Sequence, residues 1–282
     1  MSSYLNILAV FAAIFIYYIV LKPHLTLDVI QNGEKYKSYI SSRNISLVIF
    51  ILMNLIAQYF LNVYAIVSKC GGSVSENFAT AAPITFLPWT FMLGLVIVSL
   101  ILFPGFKSCF SDVIGYFYVS TSANNLLSEI LIDKDIQNKL DKDSNITKED
   151  KQTMQDVAES IIKICGNTSI LINQIVPENY LNYWKILTPL MKKTYQDDSL
   201  ESTITKKNKL FDIVVTRDNV GESLWFIYTG ILVSSLVQMN ISSKACQSSP
   251  ATMEKNYQNF LNKQQEIDSQ NQLSTNRTYT RT

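Results

Sequence analysis

The sequence has few charged side chains and only one histidine. Charged residues make up 17% of its 282 residues, whereas about a quarter is usual in soluble domains, and the mean hydropathy is +0.12. The 24 lysines and arginines nearly balance the 23 acidic residues. The basic stripe of a nucleic-acid-binding protein is therefore missing, and we expect no nucleic-acid partner. His24 stands alone, which excludes multi-histidine metal sites and acid–base schemes that need two histidines.

Long segments without any charged side chain occur four times, at 2–21, 44–68, 77–106 and 223–243. Each reaches the roughly 20 residues that cross a hydrocarbon layer about 30 Å thick. We therefore predict a mainly α fold, an integral membrane protein with three to four transmembrane helices and a small, mostly helical membrane-associated domain. The predicted spans are at about 3–21, 45–67, 83–103 and 223–243. Polar residues such as Gln238 dilute the fourth span, and a buried helix of a soluble domain is its alternative.

The charge-free segments divide the chain into a transmembrane region, a helical soluble domain, a fourth transmembrane helix and a tail, at 1–106, 107–222, 223–243 and 244–282. In the soluble domain, Thr147 fits a helix N-cap and Pro177 a first helical turn. In the tail, apolar residues recur at helical spacing from Met253 to Ile267. This predicts an amphipathic helix at about 250–267 for a partner or a sister chain, with a frayed surface helix as the alternative. A disordered end is expected after it, because the last residues are almost all polar.

Loop charge predicts how the spans are oriented. The loop 22–43 carries four basic residues, whereas the loop 69–82 carries only Lys69. By the positive-inside rule, 22–43 and the soluble domain are cytoplasmic, and the N-terminus, the second loop and the tail lie on the opposite face. Three lysines in the tail favour the reverse orientation, so the absolute orientation stays open.

Polar and small residues inside the spans predict contacts between helices. Asn54, Gln58 and Asn62 are spaced four residues apart on one stripe of the second span, and Gly230 and Ser234 form a small-xxx-small pair in the fourth. Interhelical hydrogen bonds and close backbone approach use such residues, so we interpret all five as helix-packing positions. A pore lined by the stripe is the alternative. No predicted span holds an ionisable side chain, which disfavours a proton- or ion-coupled transporter.

Two of the four cysteines lie on the same face of the membrane. Cys70 follows the second span and Cys246 follows the fourth, so two crossings separate them. A disulfide between Cys70 and Cys246 is therefore topologically permitted. The alternative is four reduced thiols, as expected on a face exposed to the cytosol.

No group of residues has the pattern of a catalytic site. Neighbouring acids such as Asp141 and Asp143 lie in strongly polar surroundings, which are typical of solvated loops and helix ends. The glycine-rich segment that follows Cys70 lacks the Lys-Ser/Thr pair that completes a phosphate-binding loop. We therefore expect no enzymatic activity and no cofactor.

The stretch FPGFKSCFSDVIGYFYVS, residues 103–120, is the most distinctive in the chain. Pro104 and Gly105 are predicted to end the third span. The apolar side chains after them are predicted to lie against the membrane interface around a lone Lys107; these are Phe106, Phe110, Val113, Tyr116 and Phe117.

This block resembles one in a multi-span membrane protein family of large nucleocytoplasmic DNA viruses, the giant viruses with chlorovirus-like and mimivirus-like members. The similarity extends backward through Leu87-Pro88-Trp89 to Cys70-Gly71-Gly72, and forward through 206–235 into the tail. It covers roughly 70–266, and the first span and the last residues lie outside it.

The resemblance implies a structural virion membrane protein, a minor capsid component that anchors the capsid to the internal viral membrane. Its partners would be the lipid bilayer and other capsid or membrane proteins of the virion, with a homo-oligomer left open. During assembly it would lie in an intracellular membrane of the host. The family has no catalytic residues to transfer. The alternatives are an oligomeric channel around the stripe from Asn54 to Asn62, and a viral fusion component whose block from Phe110 to Phe117 perturbs a target membrane.

Overall fold

A computed structural model describes residues 2–131, 168–244, 246 and 250–275. These residues are almost entirely helical, and the extended pairing among them is one isolated bridge between Leu131 and Met191. The predicted mainly α fold is therefore confirmed. In chain order the α-helices are α1 Ser2–Ile16, α2 Leu27–Gln31, α3 Gly33–Cys70, α4 Val74–Pro88, α5 Gly94–Leu102, α6 Ser108–Phe110, α7 Tyr116–Ile130, α8 Thr168–Gln174, α9 Tyr180–Leu187, α10 Glu201–Ser243 and α11 Pro250–Thr275.

Shorter helical turns join several of these helices. The π-helical turns extend α1, link α4 to α5 and precede α7; they are Tyr17–Leu21, Trp89–Leu93 and Ser111–Gly115. The 3₁₀ turns are Pro104–Lys107, Pro177–Asn179, Thr188–Leu190 and Lys193–Tyr195.

Four helical segments are long and apolar enough to cross a membrane: Tyr4–Leu21, Gly33–Cys70, Val74–Leu102 and Glu201–Ser243. They form an up-and-down bundle in which α1 contacts α3 and α10, and α4 contacts the same two helices. The predicted membrane protein with three to four transmembrane helices is therefore confirmed, and the diluted fourth segment lies in a helix that is long and apolar enough to span.

The bundle is apolar on its outside as well as in its core. Rings and branched side chains fill the interior, among them Ile14, Tyr17, Phe50, Trp89, Leu93, Phe226 and Val233. Large apolar side chains on every span are also exposed on the outer surface, including Leu8, Phe15, Ile19, Leu52, Ile56, Phe60, Leu95, Val98, Leu102, Leu236 and Met239. Apolar groups on both faces are what a lipid solvent requires, since hydrocarbon tails favour apolar contact around the whole helix.

The second and third spans belong to helices that begin earlier than the charge-free windows indicate. Asn32 caps α3, because its side-chain oxygen accepts hydrogen bonds from the backbone N–H groups of Glu34 and Lys35. Ser73 and Glu76 form a capping box at the start of α4. Hydropathy marks where a helix meets lipid, whereas caps decide where it starts.

The fourth span differs most from the predicted organisation. The structure places no boundary at 222/223, because α10 runs unbroken for 43 residues from Glu201 to Ser243. At about 1.5 Å per residue, it is about 65 Å long, roughly twice the thickness of the hydrocarbon layer. Its first half therefore projects from the membrane as the central helix of the domain predicted at 107–222.

This juxtamembrane domain has its own apolar core around the projecting half of α10. Side chains from α7, α8, α9 and α10 form it, including Leu126, Ile130, Ile172, Tyr180, Trp184, Phe211 and Val214. The helix predicted to start at Thr147 lies outside the described residues. In the tail, α11 continues eight residues beyond the predicted 267, so the segment 268–275 is helical rather than part of a disordered end.

Candidate functional site

The amide stripe of the second span faces the centre of the bundle. Asn62 is fully buried and bonds to each of the other three spans. Its side-chain oxygen accepts from Asn6 Nδ2 at 2.9 Å and from Gln238 Nε2 at 3.2 Å, and its Nδ2 donates to Thr85 Oγ1 at 3.0 Å. One side chain thus joins α1, α3, α4 and α10.

The rest of the stripe is buried on the same side. Gln58 Nε2 donates to the Asn6 backbone carbonyl at 2.9 Å. Asn54 is 1% exposed, and its amide atoms have no hydrogen-bond partner among the described residues. Because these amides are enclosed within one chain, they are not placed to line a channel between several chains.

The small residues of the fourth span allow α10 to approach α1 closely. A Cβ added to Gly230 would lie 2.4 Å from Val10 Cγ1, which no real contact permits. Ser234, one turn further along, is buried in the same bundle. Gly230 therefore lies at the contact between α10 and α1, and close backbone approach of this kind is what a small residue permits in a membrane.

A disulfide joins Cys70 to Cys246 at the opposite end of the bundle from the juxtamembrane domain. It ties the end of α3 to the chain that follows α10. Beside it, Lys69 Nζ donates to the carbonyls of Ile241, Ser242 and Lys244 at 2.9, 2.6 and 2.8 Å. The lysine satisfies carbonyls at the end of α10 and places a cation at the negative end of its dipole.

Charged side chains that lie close to the ends of the spans form buried pairs at the membrane boundary. Lys22 pairs with Glu222, and the Tyr18 hydroxyl donates to the same carboxylate at 2.9 Å. Lys22 Nζ also donates to Asn219 Oδ1 at 2.7 Å. These contacts bind the end of the first span to α10 where both helices leave the membrane.

Lys107 is not the lone interfacial cation predicted from sequence. It is buried, and its Nζ lies 2.8 Å from Asp218 Oδ2 of α10. Burial alone would lower the pKa of this ammonium, but the negative charges of Asp218 and Glu222 outweigh that effect and raise the pKa above its ordinary value. The reason is topological: the short link after the third span brings Lys107 against the acidic residues at the start of the fourth.

Arg217 attaches α8 to α10 from within the domain. Its guanidinium is almost fully buried and donates to the carbonyls of Ile172 and Ile175, the latter at 3.0 Å, and to Asn173 Oδ1 at 3.2 Å. The Asp112 carboxylate lies 3.8 Å away. Here a cation again meets carbonyls at a helix C-terminus.

A cavity of about 90 Å³ lies beside these ion pairs. Three basic and three acidic side chains line it, together with neutral residues, and the full lining is Tyr18, Lys22, Pro23, His24, Leu25, Tyr36, Tyr39, Arg43, Lys107, Pro177, Glu178, Val215, Asp218, Asn219 and Glu222. Because the charges balance, the cavity lacks the one-sided field that would draw in a charged ligand. The first span, α3 and α10 all contribute polar side chains to its lining.

The predicted interfacial block divides into an inward and an outward part. Phe106 stacks on Trp225 with ring centroids 4.2 Å apart, and Phe110 meets the same indole edge-on at 5.0 Å. Phe117 and Tyr118 are instead exposed. The exposed residues Pro104 and Gly105 begin the 3₁₀ turn after α5, and Tyr116 packs against the core of the juxtamembrane domain.

The outward part continues the lipid-facing surface. Tyr118 lines an open apolar groove together with Phe11 and Phe15 of the first span. The exposed ring of Tyr118 therefore lies beside the lipid-facing surface of the first span, a position typical of interfacial aromatic side chains.

Several residues of these contacts were not predicted from the sequence. Asn6 is a single amide in an apolar span, and Glu222 directly precedes a charge-free window. Both are usable signals: an isolated amide in a span needs a partner, and opposite charges at the ends of antiparallel spans lie at the same depth. Within the described ranges, no three His, Cys, Asp or Glu side chains lie close enough together to hold a metal ion.

Comparison with profiles of known protein families, with curated proteins and with solved structures finds no match to this chain.

Proposed function

We propose that the protein is a structural membrane component of the virion of a large DNA virus, without enzymatic activity, which anchors the capsid to the internal membrane. The observation that supports this proposal is the hydrogen-bond network of Asn62, in which polar groups of all four spans bond to one another. These bonds stabilise the membrane part of the protein. Two parts outside the membrane, the juxtamembrane domain and α11, are available to bind partners.

Anchoring suits this arrangement energetically. Four apolar spans insert in a way that is effectively irreversible. The juxtamembrane domain is held to the bundle through the ion pairs of Lys22 and Lys107, so a force applied to the domain is transmitted to the membrane. Polar surfaces on each side then supply interfaces of ordinary size for coat proteins. The viral setting rests on the resemblance of the block 103–120 and its flanking segments.

Purified virus particles test the proposal. Mass spectrometry should find the protein in the membrane fraction of the particle, and lysine cross-linking should join Lys193 or Lys209 of the domain to a capsid protein. Particles that lack the protein by mass spectrometry would refute the proposal. Cross-links confined to other membrane proteins would refute the anchoring role alone.

Two further experiments separate the alternatives. A deletion virus that fails to assemble supports the structural role, whereas particles that assemble but do not infect support a fusion role.

For the channel, ion flux through liposomes that carry the parent protein is compared with flux through liposomes that carry Asn54→Leu, Gln58→Leu or Asn62→Leu. We expect no ion flux above empty liposomes from any of them, since the stripe faces inward. An ion flux through the parent protein that all three variants abolish would instead support the channel function.

A further inference from the structure

The helix α11 displays a row of apolar side chains that nothing within the described chain covers. Met253, Tyr257, Phe260 and Ile267 are 60%, 57%, 62% and 51% exposed. The helix is 26 residues long, and every one of its described side chains except that of Leu261 is exposed. Unlike the exposed side chains of the spans, these follow the end of the fourth span and lie on the disulfide side of the bundle.

The spacing of the row is that of a coiled-coil seam. The steps from Met253 to Tyr257 and from Tyr257 to Phe260 are four and three residues, and Ile267 follows Phe260 after seven, with Gln264 between them. In a heptad, the positions d, a, d, a and d are then occupied by Met253, Tyr257, Phe260, Gln264 and Ile267 in turn. One polar residue at an a position is a known device for setting the register of such a seam.

The charges next to the seam match a second copy of the same helix. In this register Lys263 occupies position g and Asp268 occupies the following position e. In a parallel pair, g of one helix faces the next e of its partner. Lys263 of each copy then meets Asp268 of the other, which forms two opposite-charge contacts related by the twofold axis.

The membrane favours the same arrangement. Two copies inserted in one orientation present their α11 helices on the same face. The disulfide of Cys70 and Cys246 holds the start of each tail close to the bundle. Tethering in this way raises the effective concentration of one helix for the other, which offsets the short length of the seam.

A membrane surface fits the row less well. Helices that lie in the headgroup region carry many Lys and Arg residues on the polar face. The segment 250–275 has two basic residues, Lys255 and Lys263, against three acidic ones, Glu254, Glu266 and Asp268. We therefore propose that α11 pairs with α11 of a second copy as a parallel two-stranded coiled coil, independently of the virion role.

Cysteine cross-linking in proteoliposomes tests the proposal with the full-length protein. In a Cys109→Ser/Cys165→Ser background that keeps the native disulfide, Phe260→Cys places a thiol on the seam and Asn262→Cys places one on the outer face. A short bismaleimide should give dimers with the first variant and at most a trace with the second. Equal dimer yields from both positions would indicate random collision and overturn the proposal.

A charge exchange then identifies the partner as a parallel copy. With Ile267→Cys as the probe, Lys263→Glu should lower the dimer yield roughly threefold to tenfold, because two attractions become repulsions. The double variant Lys263→Glu/Asp268→Lys should restore it. No loss, or a loss without restoration, would overturn the parallel pairing. Contact quenching of a label on Phe260→Cys by nitroxide lipids, without dimers, would instead place α11 on the membrane.

Discussion

Single polar residues carry much of the specificity of this bundle. In lipid, apolar side chains pack equally well against hydrocarbon tails, so they give little preference for one helix arrangement over another. Asn62 has partners on three other spans, and each partner sits at one depth. The amide thus selects both the neighbours and their vertical register.

Replacing Asn62 by leucine tests this role. Asn62→Leu removes three hydrogen bonds, each contributing on average about 0.6 kcal/mol in a membrane protein, so we expect unfolding in detergent to become easier by about 2 kcal/mol. Tyr64→Leu on the exposed face of the same helix is the control and should change stability little. Equal stability of the two variants would show that Asn62 is not a structural hub.

The buried ion pairs at the boundary matter for a different reason. A buried charge without its partner costs more than the pair itself contributes. Both Lys107 and Asp218 are largely withdrawn from solvent, so removing either one leaves a buried charge without this partner.

A double-variant cycle on this pair tests that dependence. Lys107→Met leaves Asp218 uncompensated and should lower the free energy of unfolding by about 3–5 kcal/mol. Lys107→Met/Asp218→Leu removes both charges and should recover most of the loss. Thermal unfolding in detergent measures each form. If the double variant loses as much free energy of unfolding as Lys107→Met and Asp218→Leu together, the pair is not coupled.

The close contact between α1 and α10 depends on how nearly the two helices approach each other, and not on any one hydrogen bond. Gly230 lets the α10 backbone meet Val10 of α1. Dispersion contacts fall off within fractions of an ångström, so this approach strengthens the whole helix pair.

Gly230→Ala should therefore destabilise the bundle by about 1–3 kcal/mol, because the new methyl group overlaps Val10. Val10→Ala in the same chain should relieve part of the loss, which would identify the helix contact as its cause. Gly94→Ala is the matched control within a span, since nothing lies within 4 Å of its added Cβ. Chemical denaturation in detergent is the measurement, and equal effects of the two glycine variants would contradict this account.

At the scale of the whole molecule, the bundle separates two unlike faces. One carries the juxtamembrane domain with the exposed thiol of Cys109. The other carries the disulfide, and α11 follows on that side. A structural disulfide is expected on an oxidising face, and the positive-inside rule predicts that the loop 22–43 lies on the other, cytoplasmic face. We therefore predict that the juxtamembrane domain is cytoplasmic and that the disulfide lies on the opposite face.

Sealed vesicles of known orientation test this sidedness. With Cys165→Ser as background, an impermeant maleimide should label Cys109 from the cytoplasmic face without reductant, and Cys109→Ser should abolish that signal. Cys70 and Cys246 should label only after reduction, and only from the opposite face. Non-reducing mass spectrometry that finds both thiols free, or labelling of all three from one face, would contradict the arrangement.

The sequence predicts the number and position of the spans well, because burying a charge in lipid is costly wherever it lies and each charge-free window can be read locally. The same reasoning placed Cys70 and Cys246 on one face. It did not predict the starts of α3 and α4, which depend on capping side chains outside the windows. Nor did it predict that α10 continues through 222/223, since the change from water to lipid at that point leaves the backbone helical.

Other features were decided by tertiary structure alone. The partners of Asn62, the pairing of Lys22 with Glu222 and of Lys107 with Asp218, and the approach of Gly230 to Val10 all join residues far apart in the chain. Periodicity shows which face of a helix is polar or small, but not which neighbour meets it. That choice depends on the depth and rotation of all four helices together, which no local sequence pattern specifies.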